Sequence, residues 1–487
     1  MNNILNTLEP ASVWNYFREI TLIPRPSKKE ERIIQYLIDF SEKHGLEWLQ
    51  DSVGNILIKK KAVKGFEHLK TVVLQSHVDM VCEKNSDKEF DFDNDPIETR
   101  IVEGWVKANG TTLGADDGIG IAAQLALLAS NDIEHGPIEC LFTVDEETGL
   151  TGAFGLDPTF MDGRILLNLD SEDEGELFIG CAGGKDTVIR IPYTLERING
   201  EYAAYQLKIG GLKGGHSGDD IHKGLGNANK LLNRILWQSS DKYELRLNSI
   251  QGGNLRNAIA REAEALFLIP EQHEKTFLAD TASIINSIKA EFAITEPALF
   301  VTLTKWEEPI KEVVIKEDQA KLLNSIYACP HGVIAWSQSI PGFVETSTNL
   351  ASIRMEEGHF LITTSQRSSV ESAKEDIANM VKACFLLTGA EITQSNGYPG
   401  WAPNPDSEIR EITVEAYRKL FGQEPHVKAI HAGLECGLIG DKYPGMDMIS
   451  YGPTIKGAHS PDERIEIASV QKFWDLTLEI LRMVPSK

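Results

Sequence analysis

Basic residues are scarce in this sequence. Its 48 Lys and Arg face 72 Asp and Glu, which leaves a formal net charge of −24. Proteins that bind nucleic acid neutralise phosphates with Lys and Arg, so this deficit argues against a nucleic-acid partner. No apolar run approaches the ~18 residues that a membrane-spanning helix requires, so we expect no membrane partner either. Small molecules, peptides and cations remain as ligands.

Cysteine is also sparse, and several familiar catalytic motifs are missing. The six cysteines are scattered, with no CxxC pair, which favours reduced thiols and a cytoplasmic protein. The first ten residues have neither a basic region nor a continuous apolar core, so we expect no secretory signal there. The sequence contains no HExxH, GxSxG, Walker A or strand–GxGxxG–helix pattern.

The hydrophobic pattern predicts two kinds of domain. In residues 1–185, helix-like segments alternate with short apolar runs such as 138–144 and 165–169, which are typical of strands buried on both faces. Residues 186–396 alternate in the manner of antiparallel strands and helices, and the first pattern resumes in 397–487. We therefore predict an α/β domain with a mostly parallel sheet, 1–185 and 397–487, interrupted by an inserted α+β domain, 186–396.

Acidic and His residues follow several predicted strands, where α/β sheets expose functional groups. His77 comes directly after one strand, and Asp79 can orient its ring as a partner to a metal ligand, although such pairs also occur by chance. Asp116 and Asp117 precede a buried helix. Carboxylates at that position either compensate the helix dipole or face a cation.

Three further sites share this placement. Glu146 and Glu147 lie on a turn after a strand, where both carboxylates can enter one cavity, although an exposed acidic turn is the alternative. Asp170 ends an apolar strand, and the acidic run 172–174 that follows it indicates solvated surface. His459 lies far downstream on a loop rich in Gly and Pro.

Each of these signals is weak alone, but together they form a coherent ligand set. Two imidazoles and three carboxylates can serve two divalent ions, with one carboxylate bridging them and positions left for water and substrate. Ligation by nitrogen and oxygen without thiolate suits Zn, Mn or Co. The set consists of His77, Asp116, Glu147, Asp170 and His459.

These residues, in this order, resemble the M20 metallopeptidase family over essentially the whole chain. The family implies a three-layer αβα catalytic domain that carries a ferredoxin-like lid, and the activity of a metallo-dipeptidase. The segments that carry the resemblance are Gln75-Ser-His-Val-Asp-Met80, Gly110-Thr-Thr-Leu-Gly-Ala-Asp116, Leu212-Lys-Gly-Gly-His-Ser-Gly218, Gly224-Leu-Gly-Asn-Ala-Asn-Lys230, His431-Ala-Gly-Leu-Glu-Cys-Gly437 and His459-Ser-Pro-Asp-Glu463.

The resemblance also implies a role for each ligand. It assigns His77 and Asp170 to one ion, and Glu147 and His459 to the other. Asp116 would bridge the two ions. The ions themselves are expected to be zinc, with manganese or cobalt as the alternatives.

Further residues correspond to catalytic and substrate-binding positions of the family. Asp79 matches the carboxylate that orients His77, and Glu146 matches the general acid/base for attack by a metal-bridging water. His216 matches a lid histidine that reaches the substrate. The resemblance assigns the C-terminal end of the substrate to Asn257, Arg367 and Gly433.

For the substrate, the resemblance implies dipeptides, preferentially Xaa-His dipeptides of the carnosine type. A tripeptidase, an N-acyl amino-acid hydrolase or a carboxypeptidase would share the same ligands. A metal-dependent peptide-binding protein without catalysis is an alternative of another class, but Glu146 and all five ligands are present. Two-metal phosphoester hydrolysis is disfavoured by the charge of −24 and by the lack of a basic substrate clamp.

The predicted lid domain also indicates how subunits would associate. In many members of the family a smaller lid dimerises, so that its histidine acts across the subunit interface. The insertion here, 186–396, is long enough to fold back within one chain, which leaves open whether His216 acts in cis or in trans. We expect a homodimer formed through the lid domain.

Overall fold

The computed structural model describes residues 4–487, and the first three residues of the segment tested for a secretory signal lie outside this range. Helices and strands alternate through the first part of the chain. After a 3-10 helix, Ile4–Thr7, its helices are α1 Ala11–Thr21, α2 Glu31–His44, α3 Ala115–Ala129, α4 Glu146–Gly149 and α5 Thr151–Gly155. Its strands are β1 Glu47–Gln50, β2 Ile56–Lys60, β3 Val72–His77, β4 Thr99–Val102, β5 Trp105–Ala108, β6 Ile138–Thr143, β7 Ile165–Asn168 and β8 Glu176–Cys181.

The middle of the chain is richer in strands. Its helices are α6 Ala228–Ser240, α7 Glu271–Glu291, α8 Lys316–Ala328 and α9 Glu371–Leu386, with a 3-10 helix at Ile221–Lys223. Its strands are β9 Gly183–Pro192, β10 Leu195–Arg197, β11 Tyr202–Gly210, β12 Arg246–Gly252, β13 Ala263–Pro270, β14 Phe300–Lys305, β15 Glu312–Val314, β16 Gly332–Trp336, β17 Val344–Glu356, β18 His359–Ser368 and β19 Glu391–Gln394.

Helix–strand alternation resumes in the last part of the chain. The elements there are α10 Glu408–Phe421, β20 His426–Ile430, α11 Glu435–Lys442, β21 Asp447–Ser450, β22 Ile455–Lys456, β23 Arg464–Glu466 and α12 Ile467–Met483. Among residues 4–487, no helix is long and apolar enough to cross a membrane.

The main sheet of the α/β part has the order β1-β2-β6-β3-β7-β21-β8-β20. Its central strands β6, β3, β7 and β21 run parallel, whereas β1, β2 and β8 pair antiparallel. Every residue of β3, β6 and β7 is buried, as expected for strands covered on both faces. The predicted α/β domain with a mostly parallel central sheet is therefore confirmed.

A smaller sheet supports one loop of the candidate site. Its order is β22-β23-β5-β4, and β22 pairs with β23 as an antiparallel hairpin. The connection between these two strands carries His459, whose backbone lies in the left-handed region at φ 62°. The hairpin thus fixes both ends of the loop that presents this imidazole.

The inserted part is built on a nine-stranded sheet. The strands follow the order β14-β11-β13-β12-β17-β18-β9-β19, with β16 added against β17, and all of these pairs are antiparallel. A hydrophobic core joins this sheet to its helices and includes Leu232, Phe267, Phe277, Leu322 and Phe385. The predicted α+β insertion is confirmed.

The chain packs as two units. Among the described residues, the first unit takes the chain as far as Gly180 and then Trp401–Ala429 and Leu434–Lys487. The second unit takes Cys181–Gly400 and Ile430–Gly433. The sequence-based boundaries place the segments 181–185, 397–400 and Ile430–Gly433 in the catalytic domain, whereas all three pack with the second unit.

Candidate metal centre

The carboxyl ends of three neighbouring strands bring candidate residues of the first unit together. In the sheet, β3 lies between β6 and β7, and all three strands are parallel. His77 ends β3, Glu146 and Glu147 follow β6, and Asp170 follows β7. Because parallel strands end at the same edge of a sheet, residues distant in sequence become neighbours there.

Asp116 lies between the two imidazoles. Its Oδ1 is 3.1 Å from His77 Nε2, and its Oδ2 is 3.2 Å from His459 Nε2. Asp116 lies near the start of α3, but its φ of −79° and ψ of 113° are not helical. The backbone there turns the carboxylate away from an ordinary helix-capping position, and one oxygen faces each imidazole.

Each imidazole has a second carboxylate neighbour. His77 Nε2 is 3.6 Å from Asp170 Oδ1, and His459 Nε2 is 3.0 Å from Glu147 Oε2. Donor atoms about 2 Å from one tetrahedral zinc ion lie roughly 3.3 Å apart, which is close to these separations. The predicted ligands therefore form two groups of three that share Asp116.

The surroundings of these donors also fit cations. Glu147 Oε1 is buried without a hydrogen-bond partner in the part of the chain that the structure describes. Within residues 4–487, no Lys or Arg forms an ion pair with Asp116, Glu147 or Asp170. Buried carboxylates without a paired cation are costly, so the residues present suit a pair of divalent ions.

The pKa values of His459 and Asp170 also show that negative charge is in excess at this centre. Hydrogen bonds to Asp116 and Glu147 raise the pKa of His459 to about 11. Burial raises the pKa of Asp170 to about 7, and Asp116 nearby adds to that shift. Imidazoles that hold protons this tightly replace, in part, the positive charge that divalent ions would bring.

Asp79 organises two loops of this centre. It accepts hydrogen bonds from the backbone N–H groups of Glu146 and Glu147 at 3.0 and 3.2 Å, and its Oδ1 lies 3.4 Å from His77 Nδ1. Burial would raise the pKa of Asp79, but its hydrogen bonds, led by His77, lower it to about 2. This carboxylate therefore holds the His77 ring with Nε2 directed at Asp116.

The turn after β6 directs its two glutamates into the centre. Asp145 adopts φ 50°, in the left-handed region, and its carboxylate accepts hydrogen bonds from the hydroxyls of Thr148 and Thr151. Burial raises the pKa of Glu146 well above its usual range, with Asp170 adding to the shift and His77 opposing it. Glu146 is thus a carboxyl group that can hold a proton beside the ligands.

His216, in the second unit, has a favoured tautomer. The backbone N–H groups of Gly218 and Asp219 donate to its Nδ1 at 3.3 and 3.2 Å. Asp219 Oδ2 also lies 3.5 Å from Nδ1. The two backbone donors to Nδ1 favour the neutral tautomer that carries its proton on Nε2. The side chain can therefore donate a hydrogen bond through that atom.

The other three predicted substrate-binding residues also belong to the second unit. Arg367 is 8% exposed, and its Nη1 donates to the Tyr398 hydroxyl at 3.2 Å. Gly433 faces the same tyrosine, since a Cβ built on it would lie 2.9 Å from Tyr398 Cε2. Asn257 is exposed, and its carbonyl accepts from Ser217, the neighbour of His216.

Arg367 has the environment of an anion-binding residue. Its Nε is buried and has no hydrogen-bond partner among residues 4–487. Its positive charge helps His216 to lower the pKa of Asp219, although no carboxylate of the described chain lies within ion-pair distance of it. A buried guanidinium without a carboxylate partner suits an anionic ligand, which it can bind through two parallel hydrogen bonds.

Two residues of these clusters, His431 and Glu435, are not singled out by the sequence. His431 bonds Ser347 Oγ through Nε2 at 2.7 Å, and burial together with Arg367 lowers its pKa to about 3. Glu435 accepts from Gln75 and Thr143 at 2.6 and 2.7 Å. Both residues fall in the 431–437 segment, but no pattern of charges in the sequence indicates that they are buried at these clusters.

Glu172 corrects one prediction. The acidic pattern of 172–174 predicts solvated surface, yet Glu172 is half-buried near the centre. Burial, reinforced by Asp116 and Asp170, raises its pKa to about 8. The apolar strand that precedes this run carries it into the edge of the site.

With the geometry established, comparison with known proteins identifies the family. Residues 73–482 match the peptidase family M20/M25/M40. The chain belongs to this family and is therefore a hydrolase of the peptidase class, as predicted.

Two relatives that cover nearly the whole chain are more than 40% identical to it. The cytosol non-specific dipeptidase of Escherichia coli K12 is 42% identical over 483 residues, covering 99% of each protein. The crystal structure of an aminoacylhistidine dipeptidase from Vibrio alginolyticus superposes with a TM-score of 0.94 at 44% identity, covering 99% of this chain and 98% of that one. The aminopeptidase PepT of Bacillus cereus shares the fold at 17% identity, with a TM-score of 0.63 and coverage of 98% and 99%.

Proposed function

We propose that this protein is a cytoplasmic, metal-dependent dipeptidase that preferentially hydrolyses Xaa-His dipeptides of the carnosine type. The observation that carries the proposal is the position of Asp116, with one oxygen facing each of two imidazoles that have further carboxylate neighbours. Two relatives above 40% identity are named dipeptidases, one an aminoacylhistidine dipeptidase and the other a cytosol non-specific dipeptidase.

His77, Asp116 and Asp170 would hold one ion, and Asp116, Glu147 and His459 the other. Zinc is the proposed metal, with manganese or cobalt as alternatives for this set of N and O donors. When bound, such ions supply Lewis acidity that activates water and polarises a peptide carbonyl.

Glu146 would move the proton. Its carboxylate accepts a proton from the attacking water and returns it to the leaving amine, so that one group serves as base and then as acid. The raised pKa caused by burial suits a residue that must hold the proton between these steps. Asp79 holds the backbone of Glu146 in place while it orients His77.

The residues of the second unit would bind the substrate. His216, with its proton on Nε2, donates to the oxygen that becomes negative as the carbonyl is attacked. Arg367 binds the terminal carboxylate of the dipeptide, and Asn257 and Gly433 complete that end of the site. We further propose a homodimer formed through this unit.

A substrate panel tests the proposal. The zinc-loaded protein is assayed with β-alanyl-histidine, other Xaa-His dipeptides, dipeptides without histidine, a tripeptide and N-acetyl-histidine. We expect the highest kcat/KM for Xaa-His dipeptides, with loss of turnover on chelation and recovery with zinc. A clear preference for the tripeptide or the N-acetyl compound would contradict the proposal and indicate another M20 activity.

A further inference from the structure

The turn that carries Asp116 is held from two sides by residues outside the ligand set. Glu463 is 2% exposed, and its carboxylate accepts four consecutive backbone N–H groups. The donors are Leu113 at 2.6 Å, Gly114 at 3.0 Å, Ala115 at 2.7 Å and Asp116 at 3.3 Å. The N–H side of the turn is thereby fixed up to Asp116 itself.

Arg25 holds the carbonyl side of the same turn. Its guanidinium is 2% exposed, and Nη2 donates to the Gly114 carbonyl at 2.5 Å. Nη1 donates to the carbonyls of Val78 and Asp79 at 2.9 and 2.6 Å. One guanidinium therefore joins the loop that follows His77 to the turn that precedes Asp116.

The packing around Arg25 leaves little freedom. Gly114 has φ +67°, and a Cβ built on it would lie 2.6 Å from Arg25 Nη2. A Cβ on Gly118, at the first turn of α3, would lie 2.7 Å from the same atom. Both glycines permit the guanidinium to approach the backbone closely.

Arg25 and Glu463 bind different backbone groups of the turn that carries the shared carboxylate. Glu463 lies on the same β22–β23 loop as His459, four positions later in the chain, and so ties that imidazole to the Asp116 turn. Arg25 ties the His77 loop to the same turn. Each residue therefore connects one imidazole with the carboxylate that faces both.

We propose that Arg25 and Glu463 are positioning residues that set the two oxygens of Asp116 at the correct distances from His77 and His459. This inference rests on the proposed two-ion function. A bridging carboxylate must satisfy both ions at once, so a small rotation of its backbone weakens at least one of them. Partners that orient ligands in this way typically change metal affinity by about 10- to 100-fold when they are altered.

Metal titration of two variants tests the proposal. Apo Glu463→Gln and Arg25→Lys are titrated with zinc against a chromophoric chelator, which gives stoichiometry and both dissociation constants without reference to turnover. The amide of Gln would present N–H groups to backbone donors, and a Lys ammonium cannot reproduce the planar fork of Arg. We expect the weaker of the two zinc sites to lose about 10- to 100-fold in affinity in each variant.

A second turn in the same unit provides matched controls. Glu139, 2% exposed, accepts from the backbone N–H groups of Asp162 and Gly163, both at 3.0 Å. Arg164 donates to the carbonyls of Met161, Asp162 and Gly163. This turn precedes β7, at the end of the strands away from His77, so Glu139→Gln and Arg164→Lys should leave zinc affinity within about twofold of wild type.

Each outcome decides between the proposals. If the wild-type protein binds fewer than two zinc ions, the two-ion function itself fails. If the wild type binds two ions and both variants retain its affinities, only the positioning inference fails. Loss of the native circular dichroism in both variants, with native controls, would also overturn the inference, because the pair would then be a requirement for folding.

Discussion

The candidate residues divide into two clusters of opposite electrostatic character. In the first unit, Asp116, Glu147 and Asp170 face two imidazoles and no Lys or Arg within residues 4–487 pairs with them. In the second unit, Arg367 is buried without an ion pair in the described chain, beside His431, which burial keeps neutral. The first cluster suits cations, and the second suits an anion.

This difference separates two tasks. The first unit gathers the groups that would bind ions and move a proton, and the second gathers those that would hold a substrate. Each cluster leaves buried polar atoms without partners, Glu147 Oε1 in the first and Arg367 Nε in the second. Buried polar groups normally find partners, so these two atoms are consistent with a cation at the first cluster and an anion at the second. Variants of the first cluster should thus lower kcat. In the second unit, loss of Arg367 should raise KM, and loss of His216 should lower kcat because the oxyanion loses a donor.

The largest effect is expected from Glu146→Gln. Gln has nearly the same shape but cannot accept and return a proton, and general acid–base catalysis contributes up to about 10⁴-fold. We expect kcat to fall by about 10³- to 10⁴-fold with two zinc ions still bound, measured by steady-state kinetics and metal analysis. Glu139→Gln is the control, since that carboxylate holds a distant turn. Full activity of Glu146→Gln would rule out its proposed role.

Removal of metal should destabilise the first unit locally and leave the second unit almost unchanged. An ion whose free concentration is about 1,000 times its dissociation constant stabilises the native state by about 4 kcal/mol. Chelation should therefore increase amide hydrogen exchange in the segments around Asp116 and His459, where mutually repelling carboxylates lose their counter-ions. Exchange in the core strands β11 and β13 should change little. Equal loss of protection in both regions would contradict the assignment of the metal ions to the first unit alone.

Local sequence pattern indicates the candidate ligands of the first cluster, whereas the substrate-binding candidates of the second unit follow only from the resemblance to the family. Strand-end placement depends on local hydrophobic pattern, so His77, Glu147 and Asp170 could be located before the sheet was known. Arg25 and Glu463 could not, because they act on backbone groups, which leave no pattern of side chains.

The departure at Ile430–Gly433 has a similar physical cause. The N–H of Ala182 contacts the carbonyls of Ile430 and Ala432, both at 3.1 Å, and draws this short segment into the second unit. A segment of four residues is too short to have a distinct composition, so only its tertiary packing shows that it belongs to the second unit. His431 was missed for this reason.

His216→Ala should give an intermediate effect. Loss of one donor to a developing oxyanion typically lowers kcat by about 10²- to 10³-fold. His222→Ala is the matched control, because His222 is exposed and lies in the same segment. Mixing His216→Ala with Glu146→Gln adds a test of the dimer. If His216 acts across an interface, the mixture should recover part of the activity, whereas action within one chain predicts none.

The smallest effect is expected from Arg367→Lys. Lys keeps the charge but not the planar pair of donors, and hydrogen bonds to charged groups contribute about 1.5–3 kcal/mol. KM for β-alanyl-histidine should therefore rise by about 10- to 100-fold, with kcat changed much less. Arg354→Lys serves as the control, since Arg354 is an exposed residue on β17 that bonds Asn254. If kcat falls while KM stays constant, Arg367 belongs with the catalytic groups, and the division of tasks between the two clusters is wrong.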